Sequence, residues 1–423
     1  MLRPELIESN AQYNDKNSTK QQYRKEIRVD MDQQYGATNQ DDQDDQQYGG
    51  QAPAPDPEVH QVVEPASAEQ PASTLQDGGD QFPPVTPAPG PEAAYDVMSI
   101  GDIVTDAFIQ LAEDQAVTYE NDEGKWLAMK FGTKLPFKDA QVVQAVGNAA
   151  NAAVAFARLG LSSEFATNIG DDQEGRDMVA ALQKENVATN LVHINAGMRS
   201  NYHYVLRYQA ERTILIKHEN YRYHWPHLRP TEMPRWVYFS SISEHAIEYH
   251  DEVADWLDQN PHVKLAFQPG TFQMEAGAER LKRIYQRAEM LVLNREEAVL
   301  VGGGDWHNIH DLMDKLHDLG SKIVVITDGP NGAYASDGEQ RLKMPLYPDP
   351  GPPVDRTGAG DAFASTFVAA LAKGNTIEGA LQWAPINSMS VVQKVGAQAG
   401  LLSEPELERL LETAPDWYKP EAF

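Results

Sequence analysis

Cysteine is absent from the 423 residues, which excludes disulfide frameworks, thiolate zinc sites and cysteine nucleophiles. Basic charge is scarce: 35 Lys and Arg stand against 63 Asp and Glu, a formal charge of −28. Coating a phosphate backbone needs clustered Lys and Arg, so no nucleic-acid partner is expected. A local anion pocket built from main-chain amides stays open, because net charge does not register it. No run approaches the roughly 18 to 20 apolar residues of a membrane span. Residues Met1 to Asn10 lack the basic and apolar stretches of a secretory signal. The expectation is a soluble, cytoplasmic chain without membrane contact.

Large apolar side chains are missing from residues 1–94, which hold no Trp and one Phe, Phe82. The same stretch carries 17 acidic and 6 basic residues, 14 Gln and 11 of the 27 Pro. It therefore takes −11 of the charge and leaves −17 for residues 95–423. So little burial cannot repay the entropy of ordering, and a disordered acidic Gln/Pro-rich tail is expected. Ten Pro between Gln51 and Pro91 favour extended, polyproline-like states. A solubilising spacer is the simplest role for it; a partner-binding arm using Asp41 to Asp45 is the other.

From Tyr95 onward the pattern alternates. Val97–Ile100, Phe165–Ile169, Val237–Ser240, Val263–Phe267, Met290–Leu293 and Ile323–Thr327 are short apolar runs bounded by turn residues, which suits the centre of a parallel sheet. Between them, Asn148–Leu159, Glu174–Glu185, His245–Asp258, Ile309–Leu319, Asp361–Ala372 and Ile377–Val395 are predicted helices. This is the pattern of a doubly wound, mostly parallel α/β sheet flanked by helices, spanning residues 95–423. One segment interrupts it. Tyr202–Tyr208 and Arg212–Lys217 predict a hairpin, with Trp126–Phe131 as a third strand beside it. The stretches 106–135 and 198–220 would then form a small β-sheet lid over the site.

The chemistry concentrates in Val354-Asp355-Arg356-Thr357-Gly358-Ala359-Gly360-Asp361-Ala362-Phe363. Gly358, Ala359 and Gly360 lack bulk, so their N–H groups can converge at the start of a helix, where unpaired amides and the macrodipole favour an anion. Asp361 beside that spot has two meanings. It is an ordinary first-turn carboxylate, or a general base taking a proton from a hydroxyl that attacks a phosphoryl group.

Asp355 to Asp361 resembles the D-T-x-G-A-G-D signature of the ribokinase-like (PfkB) carbohydrate kinase family, with Arg356 in place of the usual Thr. Further strings follow in the family's order. Gly101-Asp102 with Asp106 stands first, then Val146-Gly147-Asn148-Ala149-Ala150-Asn151, Ala157-Arg158-Leu159-Gly160 and Ile169-Gly170-Asp171-Asp172. Asn294-Arg295-Glu296-Glu297 and Thr327-Asp328-Gly329-Pro330-Asn331-Gly332 complete the set. No single string is distinctive; their order along residues 95–400 is.

The resemblance implies an ATP-dependent kinase that phosphorylates a hydroxymethyl group of a sugar or nucleoside. Asp361 would be the catalytic base and the Gly358, Ala359 and Gly360 amides the anion hole. Asp106, Gly147, Asn151 and Asp361 would bind the acceptor. Thr327, Gly329, Gly332, Thr357, Gly358, Gly360, Asn294 and the weaker candidate Asn387 would meet the nucleotide. Asn294 and Glu297 would organise Mg²⁺, mostly through water, though by spacing alone they are a helix cap and capping box. Some members hold a monovalent cation, for which Asp355 and Gly396-Ala397 are the candidates here. Gln268-Pro269-Gly270-Thr271 resembles the family's N-P-G-T and either lines the cleft or is a turn.

Val146 stands where the family places the first Gly of a pair, and a β-branched residue does not take that backbone conformation readily. A ribose-type and a nucleoside-type acceptor both stay open. So does a homodimer through the lid. The alternative from another class is a catalytically silent relative acting as a binding or scaffold protein. Absence of G-x-x-x-x-G-K-[ST] disfavours a P-loop enzyme, and absence of H-E-x-x-H a zinc hydrolase.

Overall fold

Apolar runs without polar alternation are satisfied only when both faces are covered, and the central strands sit that way. The structure, a computed structural model, describes residues 95–423 apart from 122–123, 210 and 230–231. The tail at residues 1–94 lies outside the described residues. The chain begins with β1 (Val97–Ile100), buried throughout, and turns at once into β2 (Val104–Leu111). The hairpin β3 (Ala116–Asn121) and β4 (Gly124–Met129) precedes β5 (Phe137–Val146). After α1 (Asn148–Arg158) come β6 (Ser163–Gly170), α2 (Gln173–Lys184), β7 (Val192–Asn195), β8 (Tyr202–Tyr208) and β9 (Glu211–Leu215).

The alternation then becomes regular: β10 (Trp236–Phe239), α3 (Tyr249–Gln259), β11 (Lys264–Phe267), short α4 (Thr271–Ala276) and α5 (Lys282–Arg287), and β12 (Ala288–Asn294). Next are α6 (Arg295–Gly302), α7 (Ile309–Asp318), β13 (Ile323–Thr327), β14 (Ala333–Ser336) and β15 (Arg341–Met344). The chain ends with α8 (Ala359–Ala372), α9 (Ile377–Val392), α10 (Glu404–Glu412) and β16 (Glu421–Ala422).

Ten strands form the main sheet in the order β16-β15-β14-β13-β12-β11-β10-β1-β6-β7. Pairing is parallel from β13 through β7 and antiparallel from β13 to β16. From β1 the chain moves to β6 on one side and later to β10 on the other. The crevice at the carboxyl ends of these strands is where such sheets bind ligands. Helix α8 is buried on almost every side, with Phe363 and Phe367 packed into a core that includes Phe156, Tyr238 and Trp383. A helix apolar all round belongs inside. Among the described residues no helix is long and apolar enough to cross a membrane.

A second sheet has the order β5-β2-β8-β9, and it corrects one expectation. Trp126–Phe131 is not the third strand of the predicted hairpin. Its strand β4 pairs with β3, with Tyr119 opposite Trp126 and the two rings stacked 6.3 Å apart. The neighbour of β8 is β2, in parallel register, with Asp106 opposite His203. The reason is burial: β2 offers Ala107, Phe108 and Leu111 to the interior, whereas most of β3 and β4 faces solvent.

Candidate active site

Helix α8 starts where Gly358 takes a left-handed backbone (φ +81°). A Cβ there would lie 2.4 Å from the Ala397 methyl, so both conformation and space require glycine. No side chain caps the helix. The Ala359 N–H leans back toward the Arg356 carbonyl at 3.5 Å, and the first helical bond runs from Ala362 N–H to the Gly358 carbonyl. Ala359 is thus partly engaged, whereas the Gly358 and Gly360 N–H groups make no such bond and are left to an outside acceptor. A Cβ on Gly360 would meet nothing within 4 Å, so this residue borders open space.

Asp361, in the first turn, is 8% exposed. Its carboxylate accepts from Asn148 Nδ2 at 3.0 Å, Asn151 Nδ2 at 2.8 Å and Gln268 Nε2 at 3.3 Å. Burial raises its pKa from the ordinary aspartate value, and the three amides pull the other way. Two of the three amides are themselves held. Asn151 Oδ1 accepts from Gln398 Nε2, which also donates to the Ala145 carbonyl. Gln268 Oε1 takes the Tyr238 hydroxyl. The sequence reading missed Asn148 and Gln398 and left Gln268 between lining and turn.

The acceptor candidates surround the start of α1. Gly147 precedes it at φ +117°, and a Cβ there would fall 2.8 Å from the Asp102 carbonyl oxygen. Val146 stays in β5, and the preceding Ala145 takes the left-handed conformation (φ +58°) instead. The turn thus accommodates the departure one residue early. Asp106, on β2, faces His203 with Oδ1 3.5 Å from Nδ1.

On the other side, Asn294 caps α6 and Glu297 completes the capping box, at 2.8 and 2.9 Å. Burial raises the Glu297 pKa, with neighbouring Glu296 and Asp361 adding repulsion. Thr327 is the register partner of Asn294 across β12 and β13. Gly329 borders open space at φ +47°, whereas a Cβ on Gly332 would strike the Met344 carbonyl at 2.1 Å. Gly332 is therefore explained by the approach of β15. Arg295 pins this turn by pairing with Asp328 at 2.6 Å, a contact the sequence did not signal. Thr357 donates to Asp355 Oδ1 through both N–H and hydroxyl, and Gly396 N–H binds Asp355 Oδ2 at 3.0 Å.

Asn387 needs correcting. It is fully buried, donating to Thr366 Oγ1 at 2.8 Å and accepting from the Leu402 N–H at 2.9 Å. Its amide ties α9 to α8 and to the chain before α10, so no surface is left for an adenine ring.

A model of the pfkB family of carbohydrate kinases matches residues 134–404. The chain belongs to that family. Among pfkB relatives it is 30% identical over 276 residues to the ribokinase of Bacillus subtilis, covering 63% of this chain and 87% of that protein. To the ATP-dependent 6-phosphofructokinase of Thermoanaerobacterium thermosaccharolyticum it is 25% identical over 329 residues, covering 72% and 89%. The pfkB fold is shared with the crystal structure of the Methanocaldococcus jannaschii nucleoside kinase (TM-score 0.62, 16% identity, 76% of this chain and 100% of that one). The Arabidopsis thaliana ribokinase complexed with ribose and ATP matches equally (TM-score 0.62, 20% identity, 76% and 99%). As a pfkB protein the chain is a kinase of the carbohydrate kinase family.

Proposed function

We propose that this kinase transfers the γ-phosphoryl group of ATP to a hydroxymethyl group of a sugar or nucleoside, with Asp361 as general base. The observation that carries the reading is a buried carboxylate, steadied by three amides, in the first turn of a helix that no side chain caps. Ionised Asp361 accepts the proton of the attacking hydroxyl. Burial strengthens it as a base, which moves its proton affinity toward the working pH. Asn148, Asn151 and Gln268 fix the direction of its oxygens, and the amides of Gly358, Ala359 and Gly360 steady negative charge on the transferred group.

The open space at Gly360 and Gly329 fits a phosphate chain approaching the backbone closely. Asn294, Thr327, Gly329 and Thr357 would line the nucleotide. Asn294 and Glu297 would hold Mg²⁺ largely through water, and the ion when bound offsets charge on the phosphates. Asp106, Gly147 and Asn151 would face the acceptor.

The β5-β2-β8-β9 sheet would serve as lid. Its Val143 methyl lies 4.0 Å from the Cβ position of Gly396, beside the loop that Asp355 organises. A homodimer through this sheet is the reading its exposed apolar side chains support, Val142, Tyr204, Ile214 and Leu215 among them, with Ile216 just beyond β9.

The test of the base is Asp361→Asn, with turnover expected to fall by roughly 10² to 10⁴ while ATP binding is kept. Turnover equal to the unsubstituted enzyme would remove Asp361 from the role. Absence of ADP release from the unsubstituted enzyme across sugars and nucleosides would favour a silent binding protein instead.

A further inference from the structure

Val97 of β1 packs with Ala152 and Phe156 of α1, and Phe165 and Ile169 of β6 pack with α1 and α2. Alternation along a strand then sends Ile100, Ala166 and Asn168 to the other face of the sheet. Asp361 lies on the α1 side, bonded to Asn148 and Asn151. What gathers on the other face therefore stands apart from the catalytic cleft.

That face is crossed by residues 218–227, which follow β9 without forming a helix or strand. Their burial alternates: Tyr221 and Tyr223 are buried, Arg222 and His224 exposed. The Tyr221 hydroxyl donates to the Arg199 carbonyl and the Tyr223 hydroxyl to Asp102, each at 2.7 Å. Trp225 is fixed by its N–H to Glu252 at 2.7 Å and by its ring against Trp256 at 4.6 Å. Held at these points, the segment bridges a cavity of about 350 Å³, a size that admits a small ligand.

The walls of this cavity include Ile100, Ala166, Leu191, Ile242 and Tyr249, and Arg222, His193, His224 and His227 line it as well. No Asp or Glu is among the lining residues, although residues 95–423 carry −17. The nearest carboxylates are engaged: Glu252 by His224 and Trp225, Asp102 by Tyr223 and Ser243, Glu164 by Asn190. Among the described residues, Arg222, His193 and His227 make no ion pair. Asn168, 8% exposed, accepts from Asn195 through Oδ1 at 3.2 Å, so its Nδ2 is the donor left at the wall.

A guanidinium and three imidazoles without counter-charge suit an anion, and a rim of one sign concentrates the field on it. The planar fork of Arg matches phosphate with two parallel bonds. Apolar and aromatic walls below the rim suit a carbon body of a few atoms. We propose that this cavity is a second ligand site, taking a small phosphate monoester whose phosphate is held by Arg222 and the neighbouring imidazoles. The proposal does not depend on the role of Asp361.

The test is calorimetry of the full chain with ribose 5-phosphate, glucose 6-phosphate and AMP, against ribose and inorganic phosphate as halves of the ligand. At least one ester should bind, and more tightly than either half. Arg222→Ala should weaken that ester roughly tenfold or more, the loss of a charged two-pronged contact. Arg222→Lys should recover part of it. Arg222 is exposed and unpaired, so the melting temperature of Arg222→Ala and its affinity for ATP should not change. Because Trp225 lines the cavity, the ester should alter tryptophan emission in the unsubstituted chain, and Trp225→Phe should remove that change. No binding of any ester, equal affinity for ribose or inorganic phosphate, or undiminished binding in Arg222→Ala would each overturn the proposal. Binding that is lost in Gly360→Ala but kept in Arg222→Ala would place the ester in the catalytic cleft and overturn it too.

Discussion

Asn151 joins two jobs in one amide: its Nδ2 donates to Asp361 at 2.8 Å while its Oδ1 receives Gln398 at 3.0 Å. Burial raises the Asp361 pKa and this donated bond opposes the rise. Asn151→Leu should therefore raise it further. Because the base must be ionised, the acid limb of kcat/KM should move to higher pH, by about one unit. Rate measurements across pH would show it, and an unmoved limb would mean that the carboxylate does not titrate in the rate.

Gly358 and Gly360 should respond differently to alanine. Gly358→Ala forces a side chain into a left-handed backbone and against Ala397, a cost of roughly 2 to 4 kcal/mol that thermal or urea unfolding would register. Gly360→Ala meets no atom and gains helix propensity, so stability should hold or rise by up to about 1 kcal/mol. Its methyl intrudes on the open space where the phosphate is proposed, and kcat/KM should fall by about tenfold or more. Full activity in Gly360→Ala would place the phosphate elsewhere.

His250 couples the fold to pH. It is buried, with Nδ1 2.9 Å from the Ala246 carbonyl and Nε2 3.0 Å from Gln273 Nε2, and burial lowers its pKa to about 4. Gln273 in turn accepts the Gly270 N–H, in the turn that presents Gln268. The unfolded chain gains this proton below about pH 6.5, while the folded chain resists until about 4. The stabilisation is thus present above that upper value and lost as pH falls through the window, about 3 kcal/mol in all. Urea titrations at neutral and acid pH should show a shallower decline for His250→Gln; identical slopes would refute the coupling.

The exposed lid residues predict self-association. Light scattering should give about twice the 47.0 kDa chain mass, and Ile214→Glu with Ile216→Glu should return it to one chain. A monomer before substitution would rule out the lid dimer.

Much of this architecture was legible in the chain. β1 and β13 coincide with their apolar runs because a strand covered on both faces has nothing polar to disguise it. β5 escaped because Phe137 to Val142 face solvent, so no alternation marks them. β4 was assigned to the wrong neighbour because pairing depends on which surface another strand covers, and a strand's own residues do not record that. Gly358 was expected as a source of open amides; that Ala397 also demands it becomes visible only when α9 folds back.

By itself the sequence determined the alternating strands and helices, the glycine-rich helix start with its carboxylate, and the family, because these are written in local runs and their order. The tertiary structure decided what surrounds that carboxylate. Asn148 and Asn151 lie 213 and 210 positions from Asp361, and Gln268 and Gln398 arrive from other strands and loops. Amide side chains carry no periodicity, and only the closing of the sheet crevice brings Asn148, Asn151 and Gln268 to one pair of oxygens, with Gln398 behind Asn151. The same closure buries Asn387 away from any ligand and seats His203 beside Asp106.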